Sequence, residues 1–563
     1  MLKKIPTRVV LLIIILLGLI LRVAFLSRSP ARLTTDEMSI GYNAYSILKT
    51  GKDEWGRRLP LSFQAFGDHK LPAYIYATVP FVSLFDLNPI SIKIPSVIAG
   101  VLIIIGVYLI AQTLFKNKSI SLLAALMVSI NPWPIHLSRS ALEANLGLTF
   151  FTFGLLTMIK SLKSQRKKWA VIAGVFFGLT FYSYVAYRLI LVLLGGIMAL
   201  SVFKLKKYKS MILTTLLTIF IVILPLIPNL VNFSGRARFL QVSIFTDPGV
   251  AAEINEDMAF CHLVNPTKLP KLCRLIFHKP QVWMFRFIDN YTRFILPTFL
   301  FIDGDTSTYL SVPDFGEYFI FLMPFYLYGL AVFLKRKDIG SRLVVLAFLL
   351  APIPSALAGE PQIVRGSALI PLISIFIAQG LYTSYQLLNK VKIRVIVLVF
   401  GLAFALFSMT RYFIHYWFIY PYQFDNASYQ MSQQVAKLLQ DKHQDYDLIY
   451  FREVAPDPHI FITFYLKLDP LWYQENVVRP ELEPSGFTHP IKLGKFEFGT
   501  KEVTNFICEN NLKVLYLSKP DNQYPPTTTI YNFSKVHPQV KIYDVDLIRW
   551  QLKNKGEFET LCF

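Results

Sequence analysis

Lys3-Lys4-Ile5-Pro6-Thr7-Arg8 runs directly into Val9-Val10-Leu11-Leu12-Ile13-Ile14-Ile15-Leu16-Leu17-Gly18-Leu19-Ile20-Leu21-Arg22-Val23-Ala24-Phe25-Leu26. A basic cluster ahead of an apolar run of bilayer length decides the fold class, since roughly 17–25 such residues cross a hydrocarbon core as a helix. The same order of features opens a secretory signal. This run is longer than a usual signal core and no small-x-small cleavage pattern follows, so it reads as a retained first span. Arg22, near its outer end, is expected to snorkel to the interface. The rest of the chain agrees. It has 563 residues, 54% of them hydrophobic, with mean hydropathy +0.45, too apolar for an ordinary soluble enzyme. The net charge of +21 invites a nucleic-acid reading. Its distribution argues against one, because the cations fall in short clusters between apolar runs, as in a polytopic membrane protein.

Those clusters are Lys3/Lys4/Arg8, Lys116/Lys118, Lys160 to Lys168, Lys204 to Lys209, Lys335-Arg336-Lys337-Asp338 and Lys390 to Arg394, and Asp338 is their only acid. Placing each in the cytoplasm by the positive-inside rule gives spans at about 9–26, 93–114, 119–136, 142–159, 169–185, 188–203, 210–230, 316–334, 342–358, 367–386 and 395–412. The expectation is therefore about eleven transmembrane helices in the plasma membrane, with a cytoplasmic N-terminus. Residues 1–412 form the membrane domain, with long outer loops at 27–92 and 231–315 suited to interfacial helices. The segment 413–563 is an extracytoplasmic α/β domain: helical spacing over 426–439, strands at 447–451, 513–517 and 540–543, and a helix at 503–508 ending near Asn510-Asn511. It has no glycine-rich phosphate loop. All four cysteines fall outside. Cys261 and Cys273 share the second loop, while Cys508 and Cys562 share the tail. This favours two local disulfides; buried thiols are the alternative, and four cysteines allow three pairings. No spacing resembles a zinc site.

At the outer face the first loop carries Asp36-Glu37, then Tyr42, and later Phe66-Gly67-Asp68-His69-Lys70-Leu71-Pro72 with Tyr74. On its own, Thr34-Thr35-Asp36 reads as the start of a solvated helix running to Leu48. The chemical reading gives one carboxylate the proton of an incoming hydroxyl. Lys70 would then hold an ammonium where a lipid phosphate arrives, although interfacial lysines also snorkel without function. His69 reads as a hydrogen-bonding neighbour, not a metal ligand, because no second histidine stands at a useful spacing.

The stretch Thr35-Asp36-Glu37-Met38-Ser39-Ile40-Gly41-Tyr42-Asn43-Ala44-Tyr45 resembles the first outer loop of GT-C glycosyltransferases. Bacterial members of the protein-mannosyltransferase and aminoarabinose-transferase group are nearest. Asp68-His69-Lys70-Leu71-Pro72-Ala73-Tyr74 is similar to that group's acid-x-Lys-Pro-Pro-x-Tyr motif, with Leu71 replacing the first proline. The resemblance implies Asp36 as catalytic base with Glu37 beside it, and Lys70 on the donor phosphate. Tyr42, Asp68, His69 and Tyr74 support them. Asn131-Pro132-Trp133 with His136, Arg139, Glu143 and Asn145 resembles the group's turn between the third and fourth spans. Phe301-Ile302-Asp303-Gly304-Asp305 resembles a later outer segment. Glu360-Pro361-Gln362-Ile363-Val364-Arg365 is similar to an acid-x-Pro-His-x-x-Arg stretch, with Gln362 in place of the histidine.

Outer arginines run against positive-inside statistics, which makes Arg365 and Arg139 candidates for phosphate binding, with Arg188, Arg236 and Arg238 behind them. Pairing with Glu143, Asp303, Asp305 or Glu360 is the structural alternative. The expected function is inverting transfer of a sugar from a polyprenyl-phosphate donor to a hydroxyl on an acceptor protein or glycan. The partners are then the lipid-linked sugar, the acceptor and membrane lipid, without nucleic acid. No cofactor is required, though acids and phosphate could share a divalent cation. The alternative is a lipid or glycan transporter or flippase, which calls for mid-span charges, broken helices and internal repeats. A membrane scaffold presenting the tail would leave the first-loop motif idle. The sequons at Asn232, Asn426 and Asn532 carry little weight.

Overall fold

The computed structural model describes residues 6–30, 33–65, 68–231, 243–264, 270–359, 362–388, 390–423, 427–455, 457–481, 488–508, 512–520, 524–531 and 538–562. Phe66, Gly67, Arg236, Arg238, Glu360, Pro361, Asn510, Asn511 and the three sequon asparagines lie outside these residues. The chain divides into two compact units. One joins residues 1–26 with 95–416, and the other joins 27–94 with 417–563.

The first unit is helical. Among the described residues six helices are long and apolar enough to cross a membrane: Pro89–Phe115, Glu143–Ser164, Val185–Lys204, Lys206–Leu230, Ile339–Ala356 and Val391–Gln423. A seventh span results if Lys118–Ile130 and Pro132–Arg139 are taken together across their 54° bend. Pro132, at the first position of the second piece, cannot supply the N–H that would continue the first. The protein is therefore a multi-pass membrane protein. Other expected spans coincide with helices that are shorter or more polar, such as Thr7–Val23 and Lys167–Thr180, so helix length does not fix the count at eleven.

Arg22 corrects an expectation. It does not snorkel; it is fully buried. Its Nε donates to Ser138 Oγ at 3.1 Å, Nη1 to the carbonyls of Gly18 at 2.9 Å and Ser129 at 3.4 Å, and Nη2 to those of Val128 at 3.0 Å and Pro134 at 3.4 Å. The guanidinium fork thus ties the first helix to both arms of the bent pair. Gly18 and Gly100 line its slot, where a Cβ on Gly100 would collide with Ser138 and Arg22. Elsewhere Gly329 and Gly380 bring the helices Met323–Leu334 and Leu369–Leu387 to backbone contact, the close approach that small residues allow in membranes.

The second long loop forms the helices Gly249–Val264, Pro270–Ile276 and Lys279–Arg293. The disulfide Cys261–Cys273 joins the first two. Arg286 bridges Asp247 and Glu253, fastening the third helix to the start of the first.

The second unit holds a short hairpin, β1 (Phe63–Ala65) with β2 (Asp68–Lys70). Its main sheet comprises β3 (Leu448–Arg452), β4 (Val477–Val478), β5 (Lys492–Leu493), β6 (Phe496–Gly499), β7 (Val514–Ser518), β8 (Thr528–Tyr531) and β9 (Pro538–Asp544), in spatial order β4-β5-β6-β3-β7-β9-β8. β3 runs parallel to both β6 and β7, and β9 closes antiparallel on β7. The expected strands and the helices Ala427–Lys442 and Val503–Ile507 are present. The two-residue strands β4 and β5 leave too short a pattern to read. One face of the sheet buries Leu448, Tyr450, Val514 and Tyr516 against Phe506, Ile548 and Leu552. On the other face Phe451 meets Phe461 of the helix Pro458–Tyr465.

The disulfide Cys508–Cys562 closes the chain end over a separation of 54 residues. Loop-closure entropy of that size gives the cross-link about 2–4 kcal/mol of stabilisation. Replacing both cysteines by serine should lower the unfolding free energy of this unit by that amount. Matched denaturation midpoints for the two proteins would refute the assignment.

Candidate functional site

The first loop becomes the helix Thr35–Thr50 because its start is chemically specified. Thr34 Oγ1 accepts from the Glu37 N–H at 3.2 Å, and Glu37 Oε2 accepts from the Thr34 N–H at 2.9 Å, a reciprocal capping box. Gly51 closes the helix in the left-handed conformation at φ 69°. The cap separates the acidic pair. Glu37 is 1% exposed and holds the helix start, so its place in the site is that of a positioning residue. Asp36 lies on the open side, with its side chain 49% exposed.

Lys70 reaches Asp36 from the hairpin. β2 ends at Lys70, paired with Phe63, and Pro72 begins the helix Pro72–Phe85 two residues later. This fixes the lysine stem, leaving its side chain 6% exposed with Nζ 2.6 Å from Asp36 Oδ1. The structure therefore brings together two residues 34 positions apart that the sequence marked separately. Around them, Tyr74 donates to the Ile92 carbonyl at 2.8 Å and Tyr42 to that of Leu468 at 3.1 Å. Both rings are buried, and burial pushes the Tyr42 phenol up. They position backbone; their hydroxyls are directed at carbonyls. His69 lies in β2 opposite Gln64, and the backbone of Asp68 opposite Ala65.

Sequence reasoning missed the polar turn behind this helix. The Glu54 N–H donates to Asn43 Oδ1 at 3.1 Å. Arg479 stacks over Trp55 at 3.8 Å and donates to the Tyr473 hydroxyl at 3.2 Å. Asp53-Glu54-Trp55 has no feature of its own in the sequence that separates it from a solvated turn. Burial pushes the Glu54 carboxyl up to about 7, against the opposing pull of Arg479. Burial also pushes Asp53 up, while the backbone N–H groups of Arg57 and Trp55 draw it back. A carboxyl raised above its unfolded value stabilises the fold fully below that value, and the contribution is lost as pH rises through the folded one. Thermal stability should therefore fall between about pH 5 and about pH 8, and Glu54→Gln should flatten that slope. Identical slopes in the two proteins would remove Glu54 as its source.

In the other unit, Arg139 is fully buried. Its Nη1 donates to the carbonyls of Leu21 at 2.9 Å and Arg22 at 3.1 Å, and its guanidinium lies over Tyr416 at 5.3 Å. That makes it a tie between the first helix and the bent pair, out of reach of a ligand in this conformation. Arg365 is half-buried, with Nη1 on the Ala358 carbonyl at 3.2 Å. Glu143 opens its helix and is half-buried. Two of the weaker sequence signals meet: Asp305 Oδ2 accepts from the Ile363 N–H at 2.7 Å. Beside that junction lies a cavity of about 570 Å³ lined by Arg286, Asp289, Asn290, Arg293, Asp303 and Thr306. Its loop cations were invisible in the sequence because their helix has no motif. Among the described residues no three His, Cys, Asp or Glu side chains converge on a metal position.

Residues 69–231 match the family described as dolichyl-phosphate-mannose-protein mannosyltransferase. No curated protein sequence matches the chain. Among solved structures, ArnT from Cupriavidus metallidurans bound to undecaprenyl phosphate superposes with TM-score 0.51 at 11% identity, over 95% of this chain and 97% of that one. The Archaeoglobus fulgidus oligosaccharyltransferase in its apo form superposes with TM-score 0.51 at 16% identity, over 82% of this chain. The match spans 64% of the archaeal chain. At these identities the likeness is one of fold. The chain thus has the GT-C membrane fold, and its residues 69–231 carry the pattern of the dolichyl-phosphate-mannose-protein mannosyltransferase family.

Proposed function

We propose that the protein is an inverting glycosyltransferase that moves a sugar from a polyprenyl-phosphate donor to an acceptor hydroxyl on the extracytoplasmic face. The observation that carries this reading is the Asp36–Lys70 contact at 2.6 Å, a half-exposed carboxylate beside a sequestered ammonium. The family match and the GT-C fold support the donor class. They lend nothing to the transporter alternative.

In the reaction, a carboxylate oxygen of Asp36 takes the proton of the acceptor hydroxyl as that oxygen bonds to the anomeric carbon. The bond from that carbon to the phosphate oxygen breaks, and its electron pair leaves with the polyprenyl phosphate. Attack from the far side inverts the configuration. Lys70 stabilises the charge that gathers on the leaving phosphate, as a fixed cation does best in a water-poor site. Glu37 holds the helix start that aims Asp36. Arg139 keeps the first helix in place. A divalent cation would have to share Asp36 and the donor phosphate, and loss of turnover in EDTA that added metal restores would assign it there.

The direct test supplies purified protein with a radiolabelled polyprenyl-phosphate sugar and a candidate acceptor protein or glycan. Acceptor-dependent release of polyprenyl phosphate, with a product of opposite anomeric configuration, is the expected result. Retention of configuration would overturn the single-displacement scheme. Label crossing the bilayer without bond cleavage would overturn the enzyme reading.

A further inference from the structure

A second site lies at the other end of the helix that begins with Glu143, where three connections of the first unit converge. Lys163 comes from the end of Glu143–Ser164, Lys207 from the turn after Val185–Lys204, Lys337 from the turn before Ile339–Leu350 and Arg342 from the first turn of that helix. Together they line a cavity of about 400 Å³. Its one acid is already engaged. Asp338 pairs with Arg336 at 3.2 Å and Lys163 at 3.6 Å, and it caps the following helix through the Ser341 N–H. Lys207, Lys337 and Arg342 have no carboxylate partner among the described residues. The rest of the wall is apolar or amphipathic: Leu162, Leu205, Ile339 and the ring of Tyr208.

Cations scattered over a cytoplasmic surface would satisfy the positive-inside rule without forming a pocket. Here they come from three separate connections and face one concavity whose wall is greasy. We propose that this cavity holds the phosphodiester headgroup of an anionic phospholipid from the leaflet at that end of the helices. The cations meet the phosphate, Tyr208 meets the glycerol, and the leucine and isoleucine side chains meet the start of the acyl chains. Basic pockets between membrane helices bind such headgroups by this combination. A free phosphate would need the charge but not the apolar wall. The site does not depend on the glycosyltransferase reading, so either can fail alone.

The test is native mass spectrometry of the full-length protein in detergent, titrated with phosphatidylglycerol, phosphatidylcholine or inorganic phosphate. Phosphatidylglycerol should be retained in preference to phosphatidylcholine, and Lys337→Ala with Arg342→Ala should weaken it roughly 30-fold, about fivefold per cation. Lys390→Ala with Lys392→Ala, exposed basic residues at another connection, is the control and should change retention clearly less than the cavity variant. Lys207→Ala, at an exposed position, serves if the double variant loses its fold. Equal losses in variant and control would reduce the effect to general surface charge and overturn the site. Equal retention of the two lipids, or displacement by millimolar inorganic phosphate, would also overturn it.

Discussion

Asp36→Asn should lower sugar transfer by about 100- to 10,000-fold, the range that a positioned general base contributes. The substitution keeps the shape and removes the proton acceptor. Asp36 is half-exposed and sits in the first turn of a helix whose cap is made by Thr34 and Glu37. Loss of its charge there costs about 0.3–1 kcal/mol at the helix start and about 1–3 kcal/mol for the contact to the buried Lys70 ammonium. The protein should therefore remain folded and bind donor nearly as before. Lys70→Ala gives the complementary result, donor binding weakened roughly tenfold to a hundredfold through loss of a charge-assisted contact to phosphate. Pre-steady-state transfer and equilibrium donor binding, measured on the same preparations, separate the two. A folded Asp36→Asn protein that turns over at the wild-type rate would remove the base from this residue.

Arg22→Met should destabilise the membrane unit by about 3–5 kcal/mol, the cost of breaking a buried polar arrangement from one side. The five acceptors of its guanidinium are one hydroxyl and four carbonyls. Removing the donors leaves those oxygens buried with fewer partners, at about 1–3 kcal/mol for each one left unsatisfied. Methionine fills much of the volume, so the loss reports on hydrogen bonding and not on a cavity. Arg22→Lys should recover less than half of it, because an ammonium has three donors and no planar fork. Ser138→Ala, which takes away a single acceptor, should cost about 1 kcal/mol. Thermal unfolding in detergent ranks the three. An Arg22→Met protein as stable as the wild type would show that the guanidinium is dispensable to the packing.

These two residues also mark what could be read from the chain. Asp36 was legible because its surroundings are local: a helix cap within three residues and a lysine in the same loop. The tail strands and the helix at 503 were legible for a similar reason, since short-range periodicity reports directly on a buried strand or an amphipathic turn. Arg22 was misread. Position along a hydrophobic run gives depth in the bilayer but not the neighbours on the next helix, and its Ser129 and Ser138 partners lie 107 and 116 residues away. Glu54 was passed over on the same ground, because Arg479 and Tyr473, the groups that surround it, belong to the tail. Arg139 looked like a ligand from its sequence neighbours and became a tie once its carbonyl partners were visible.

The segment 27–94 shares its compact unit with 417–563. The helix bearing Asp36 sets Gly41 against Phe464, so close that any side chain there would collide. A ribosome releases these halves more than three hundred residues apart. At about 5–20 residues per second, the carboxylate and its lysine wait tens of seconds for the surface they rest on. For most of its synthesis the nascent polypeptide is thus a membrane protein whose Asp36 helix lacks its packing partner. In the proposed reaction, a donor lipid met during insertion would find no assembled chemistry until the helix Pro458–Tyr465 has emerged. In the glycosyltransferase reading, the order of synthesis makes activity a late event in the birth of the molecule.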